Sequence, residues 1–217
     1  MDFQDRWLYL DITGQARDAP AWLRHTAEIW TEGGLLLFAL LFVTAWWRAR
    51  RGDSRAFAIA VLAPVATAVA YVGSELLKSV IKEERPCRAV AGAARSLAEC
   101  PPHGDWSFPS NHATIAGAAA LSLALVRRAV LWLTAPLALL MAYSRVFVGV
   151  HYPHDVAAGL LLGALVAVLV LRLGTGPLIR LVVAVRGSSA PVARWLTGPG
   201  PGTAPGRAPA YATHRRS

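Results

Sequence analysis

His151 and Asp155 stand four residues apart in Ser144-Arg145-Val-Phe-Val-Gly-Val-His151-Tyr-Pro-His-Asp155. At the start of a helix, that spacing lets a carboxylate reach an imidazole nitrogen across one turn and fix its tautomer. A neutral imidazole held in this way keeps a free lone pair for attack on phosphorus. Taken alone, the pair fits equally well a helix-start aspartate and an interfacial histidine. Upstream, Phe108-Pro-Ser-Asn-His112 runs directly into an apolar segment. Ser110 occupies an N-cap position there, and the free amides of residues 111 to 113 form a potential anion site beside His112. The alternative is a serine that only caps and a histidine that only lies at an interface. In Lys78-Ser-Val-Ile-Lys-Glu-Glu-Arg85-Pro86, the two outer cations are seven residues apart. This is close to two helical turns, ~10 Å. They can clasp one phosphate only if the helix ends or bends, which Pro86 favours by disfavouring helix at Arg85. Alone, they also fit a lysine and an arginine snorkelling at a membrane boundary.

The elements that must position these residues are apolar. Of the 217 residues, 55% are hydrophobic and 16% charged, whereas about 25% charged is usual in soluble domains. Five segments carry almost no charge: residues 29–47, 56–77, 113–126, 129–144 and 156–171. Several fall short of the ~20 residues of a full span, but five such helices in so short a chain leave few polar faces for water. The reading is an all-α, polytopic transmembrane bundle of five to six spans, with residues 178–185 as a partial sixth. Residues 1–28 read as one or two interfacial amphipathic helices broken near Gly14 and Pro20. They belong with a single membrane domain over residues 1–186. Residues 187–217, rich in Gly, Pro, Ala, Ser and Arg, read as a disordered cytoplasmic tail. The start of the chain shows no signal-peptide pattern.

Orientation follows from arginine. Arg48, Arg50, Arg51 and Arg55, then Arg127 and Arg128, then Arg172, Arg180 and Arg186 mark three cytoplasmic regions. The connections over residues 79–112 and 145–155 then face outward. They hold Lys82, Arg85, Arg88, Arg95 and Arg145, with Lys78 at their edge, against that trend, and anion binding accounts for these cations. The net charge of +9 does not indicate nucleic acid, since no basic stripe with interleaved aromatics is present. Cys87 and Cys100, both in the first outward loop, could pair and close a ring valued at ~3 kcal/mol by chain entropy, or remain free thiols.

Together, K-x-x-x-x-x-x-R-P, P-S-x-H and S-R-x-x-x-x-x-H-x-x-x-D, in this order, resemble the type 2 phosphatidic acid phosphatase family. That family also includes bacterial undecaprenyl diphosphate phosphatases and vanadium haloperoxidases. The match runs from Lys78 to Asp155 and departs at Asn111, where glycine is commoner; asparagine tolerates unusual backbone angles next best. The resemblance implies that His151 is a nucleophile forming a phosphohistidine, with Asp155 orienting it and His112 protonating the leaving oxygen. It also implies that Lys78, Arg85, Ser110, Arg145 and the Asn111 amide hold the phosphate oxygens. No cofactor or metal is implied, and no cluster with ligand spacing is visible in the sequence. His103, His154 and His214 read as bystanders, with His154 close enough to tune the site. The implied activity is hydrolysis of a lipid phosphate in the bacterial cytoplasmic membrane, on its outer face, with membrane lipids as surroundings and oligomeric state open. Undecaprenyl diphosphate leads, followed by phosphatidate and phosphatidylglycerol phosphate. A non-enzymatic lipid carrier or assembly partner is the alternative of another class.

Overall fold

The computed structural model describes residues 3–201, and no strand occurs among them. Helix α1 (Phe3–Asp18) is followed by α2 (Ala21–Ala49), α3 (Ser54–Ile81), a single turn α4 (Pro86–Ala89), α5 (Asn111–Val126), α6 (Leu131–Phe147), α7 (Pro153–Arg186) and a short α8 (Pro191–Thr197). Helices α2, α3, α6 and α7 are each long and apolar enough to cross a bilayer, and α5 is apolar but shorter. Its 16 residues span about 24 Å. This length suffices because α5 is enclosed by protein: it packs against α2, α3, α6 and α7, and its alanines from Ala113 to Ala124 are buried. A helix apolar on every side belongs in such a centre.

The packing pattern is the one expected in lipid. Small residues fill the interior, while large aliphatic ones such as Leu36, Leu161 and Leu173 point outward, each more than 70% exposed. Close backbone approach rather than hydrophobic exclusion then holds the helices together. Gly159 and Gly163, four apart on α7, show this: a Cβ at Gly159 would meet the Ser110 carbonyl, and one at Gly163 would meet the Thr114 carbonyl. The seam between α5 and α7 therefore fixes the start of α5 against the start of α7. Ser110 N–H reinforces it by donating to the Asp155 carbonyl at 3.1 Å.

Three boundaries differ from the sequence reading. The N-terminal segment does not break at Gly14: α1 runs through it to Asp18, and residues 21–28 are the first two turns of α2. Residues 178–185 form no sixth span, because α7 is continuous to Arg186 through Pro177. At 34 residues, or about 51 Å, α7 outreaches a hydrocarbon core, so Arg180 and Arg186 clear it. Residues 191–197, expected to be disordered, form α8. Arg50 lies over the Trp47 and Trp195 rings at 4.5 and 4.9 Å, tying α8 to the end of α2. The rest of the expected tail, residues 202–217, lies outside the described residues.

Candidate active site

Alternation of the long helices gathers the ends of α3 and α6 and the starts of α5 and α7 at one end of the bundle. The arginines at the α2–α3 and α5–α6 connections gather at the other. At the first end, Lys78, Arg85, Ser110, Arg145, His151 and Asp155 are all buried, none more than 6% exposed. His151 lies in the α6–α7 connection. Its Nδ1 is 3.1 Å from Asp155 Oδ2, and its Nε2 is 3.0 Å from Arg85 Nη1. Arginine can only donate, so Nε2 is an acceptor and Nδ1 carries the proton. Burial first, then the charges of Arg85, Arg145 and Lys78, push the His151 imidazolium well below the usual histidine range. Both geometry and electrostatics thus give the neutral ring that a nitrogen nucleophile requires. Asp155 Oδ2 also accepts from the Tyr152 amide at 2.8 Å and from Ser107 Oγ at 2.5 Å.

The cations converge as the spacing requires, although α3 stops earlier than Pro86 implied. It ends at Ile81, with Lys82 left-handed at φ 51° and its N–H returned to the Lys78 carbonyl; Pro86 opens α4 instead. This turn brings Arg85 beside Lys78, and both clasp the same anion, the carboxylate of Asp105. Its Oδ1 is 2.7 Å from Arg85 Nη2 and 3.4 Å from Lys78 Nζ. Burial raises the Asp105 carboxyl, but hydrogen bonds and charge from Arg85 and Lys78 outweigh it and leave the group below the usual carboxylate range. Arg145 donates to Thr31 Oγ1 at 2.6 Å. Its Nε, the His112 Nε2 and the Ser110 Oγ are buried without hydrogen-bond partners. Asp155 Oδ1 is likewise unpartnered, and buried polar atoms left unpaired at one end of the bundle call for a ligand of high acceptor and donor capacity.

Ser110 is the N-cap residue of α5, yet its side chain makes no capping bond, which leaves the hydroxyl to the site. The α5 ladder begins with Thr114 N–H to the Ser110 carbonyl at 2.9 Å, so the amides of residues 111 to 113 precede it. Asn111 does not use the backbone latitude expected of it: Lys82 is the non-glycine residue with positive φ among those described. Its side chain accepts from Ser74 Oγ at 2.7 Å and donates to Glu75, both on α3.

The profile of the PAP2 superfamily matches residues 59–176, more than half of the chain, and encloses every motif residue from Lys78 to Asp155. The chain belongs to the PAP2 superfamily. It is 37% identical over 122 residues to an undecaprenyl-diphosphatase of Sulfolobus acidocaldarius, covering 55% of this chain and 58% of that one. It is 38% identical over 146 residues to the decaprenylphosphoryl-5-phosphoribose phosphatase of Mycobacterium tuberculosis, covering 66% and 73%. The crystal structure of Aquifex aeolicus LpxE superposes with a TM-score of 0.57 at 23% identity, over 76% of this chain and 93% of that one. The helical architecture is thus that of the membrane PAP2 proteins.

Several residues of this PAP2 site gave no signal in the sequence. Ser107 and Asp105 precede the second motif and reach the third and the first. Thr31 and Glu32 come from α2, with Glu32 3.6 Å from both His112 Nε2 and Arg145 Nη1. His154 lies beside the site, as expected of a residue close enough to tune it, with its ring between carboxylates of Asp5 and Glu83. Glu83, His154 and Asp155 together bring three potential ligand atoms within 4.8 Å of one another, a grouping the linear sequence conceals and the sequence reading does not contain. His103 stays away from the site, 3.7 Å from Glu84 and largely exposed; His214 lies outside the described residues. Cys87 and Cys100 are joined as a disulfide with Cα atoms 6.1 Å apart. Arg88 braces this loop by bonding Glu84 at 2.5 Å and the Pro102 carbonyl at 3.2 Å.

Proposed function

We propose that this protein hydrolyses a lipid-linked phosphate or diphosphate through a phosphohistidine on His151. The observation that carries this reading is the neutral, tautomer-fixed His151 with Nε2 against Arg85. Nε2 attacks phosphorus while the bond to the leaving oxygen breaks, and His112 gives that oxygen its proton. Water then attacks the phosphohistidine, His112 takes the water's proton, and phosphate leaves with His151 restored. Lys78, Arg85, Arg145, Ser110 and the first amides of α5 hold the equatorial oxygens, where charge accumulates. These cations supply the charge that a metal would otherwise provide.

A lipid substrate is supported by the site's place at the ends of membrane helices. Among lipids a prenyl diphosphate leads, undecaprenyl diphosphate first, because both curated relatives described above are named for prenyl-linked phosphates. Phosphatidate and phosphatidylglycerol phosphate compete. The arginine-rich end opposite the site supports an outward-facing centre in the bacterial cytoplasmic membrane.

The test is phosphate release by the purified protein from a panel of prenyl and glycerol lipids, with and without chelator. Turnover of prenyl diphosphate unaffected by chelator is expected, as is loss of all turnover in His151→Ala. His112→Ala should impair a lipid monophosphate, whose alkoxide leaving group needs a proton, more than a diphosphate, whose leaving group is already a stable anion. Activity silenced by chelator and restored by magnesium would refute the mechanism, as would substantial turnover in His151→Ala.

A further inference from the structure

His154 is not used by the chemistry above, yet both nitrogens of its ring are held by carboxylates. Nδ1 is 2.7 Å from Asp5 Oδ2, and Nε2 is 3.0 Å from Glu83 Oε2 and 3.2 Å from Asp155 Oδ1. Both nitrogens face carboxylates, so both carry hydrogen and the ring is an imidazolium. Its faces are covered by Tyr152 and Phe108, with ring centroids at 5.4 and 5.6 Å in stacked arrangement, as suits a cation between aromatic rings.

The three carboxylates come from different places. Asp155 is on the first turn of α7, Glu83 is on the turn after α3, and Asp5 is on α1. Asp5 grips His154 twice, because its Oδ1 also accepts the His154 amide at 3.1 Å. Helix α1 is further anchored by Tyr9, which is fully buried and donates to the Gly149 carbonyl at 3.0 Å in the connection that carries His151.

The consequence concerns Asp155. Its Oδ2 receives three donors, from Ser107, Tyr152 and His151, while the fully buried Oδ1 accepts no hydrogen bond and is met only by the charge of the His154 ring, whose Nε2 lies 3.2 Å away and donates to Glu83. Without that cation the carboxylate would have one oxygen facing no charge, and it could rotate or take up a proton in place of holding His151.

Resting on the phosphatase reading above, we propose that His154 is a positioning residue that locks Asp155 onto the nucleophile, and that α1 is a working part of the active site because Asp5 holds His154 in place.

The experiment uses the full chain in detergent, with farnesyl diphosphate as probe. Asp5→Asn and His154→Gln should each lower kcat about tenfold, equivalent to about 1.4 kcal/mol, with KM changed less than about twofold. Asp5→Glu, which can regain the contact, should recover most of that loss. The double variant Asp5→Asn/His154→Gln should be little worse than either single one, since both remove the same link. Asp11→Asn, an equal change of charge on the exposed face of α1, should leave kcat unaltered.

A second readout needs no turnover: the 15N shifts of the His151 imidazole should report a single Nδ1–H tautomer in the parent and a mixture in Asp5→Asn. Parental kcat in Asp5→Asn, additive losses in the double variant, or an unchanged tautomer would each overturn the proposal. A parent protein that shows the fixed tautomer but releases no phosphate would refute the phosphatase reading and leave the positioning role standing.

Discussion

At the scale of single residues, the carboxylate of Asp105 stands where two cations of the site converge. Arg85 and Lys78 share its Oδ1, and its side chain is 45% exposed on a loop. A phosphate arriving at the same cations must displace it or share them. Asp105→Asn should therefore tighten inhibition by inorganic phosphate or vanadate several-fold, read as a lower inhibition constant. A weaker inhibition would mean that the carboxylate serves to hold Arg85 in place. The pH dependence has a definite sign. Because the folded state holds this carboxyl below its usual range, its ion pairs contribute fully above the unfolded value of about 3.9 and are lost only as pH falls through the lower folded one. The difference in thermal midpoint in detergent between parent and Asp105→Asn should therefore stay constant from pH 7 to about pH 5 and shrink as pH falls below about 4.

Among the helices, the seam of α5 and α7 sets the precision of the site, because it carries Ser110 and His112 on one side and Asp155 on the other. At Gly163 a side chain would run into the Thr114 carbonyl and the Ala118 amide, which are backbone and cannot move aside by changing rotamer. Gly163→Val should lower stability by about 1–3 kcal/mol, the usual range for overpacking, and reduce kcat as the two helix starts separate. Gly73→Val is the control, since nothing lies within 4 Å of a Cβ there. The measurements are the unfolding midpoint in detergent and turnover on the same preparations. Equal effects at the two glycines would show that the seam has no special role.

The contrast between local and distant contacts also explains what the sequence could disclose. The His151–Asp155 pair was legible because a four-residue spacing across a helix start is a local geometric fact. The convergence of Lys78 and Arg85 was legible because a proline announced that the helix must stop, even though it stops four residues sooner. By contrast Ser107, Asp105, Glu32 and Asp5 reach their partners across 20 to 149 residues of chain. No periodicity or spacing encodes which end of a folded bundle such residues will share. The extent of α2 was misjudged because Arg24, His25 and Glu28 interrupt apolarity without interrupting helix. In the same way Arg172 interrupts the apolar run of α7 without interrupting the helix, which continues through Pro177 to Arg186; proline is tolerated inside membrane helices.

For the molecule as a whole, the two ends differ in charge and in covalent chemistry. One holds the candidate site and the Cys87–Cys100 disulfide; the other holds the arginines at the α2–α3 and α5–α6 connections. Both features support the same orientation, since disulfides persist in oxidising surroundings and arginine-rich connections stay in the cytoplasm. With Cys87 and Cys100 replaced, a single cysteine introduced at Gly104 should react with an impermeant reagent on intact cells, and one at Gly52 should not. The opposite pattern would put the site inside and remove the case for a substrate delivered on the outer leaflet.

The contact between Arg85 and His151 Nε2 has a consequence for which electrophiles the protein can meet. In the structure the His151 Nε2 lone pair, the one that attacks in the proposed mechanism, accepts a hydrogen bond from Arg85 Nη1 at an N···N distance of 3.0 Å. Only a ligand offering Arg85 better acceptors than a ring nitrogen can draw that hydrogen away, and anionic oxygens do so far better than neutral ones. On that mechanism the substrate would unlock the nucleophile with its own charge. Neutral phosphotriesters and other uncharged alkylating or phosphorylating agents, however reactive, lack the means to do so. Under the proposed mechanism the same arginine would serve twice, once at the transition state and once as a guard of the idle ring against accidental covalent poisoning.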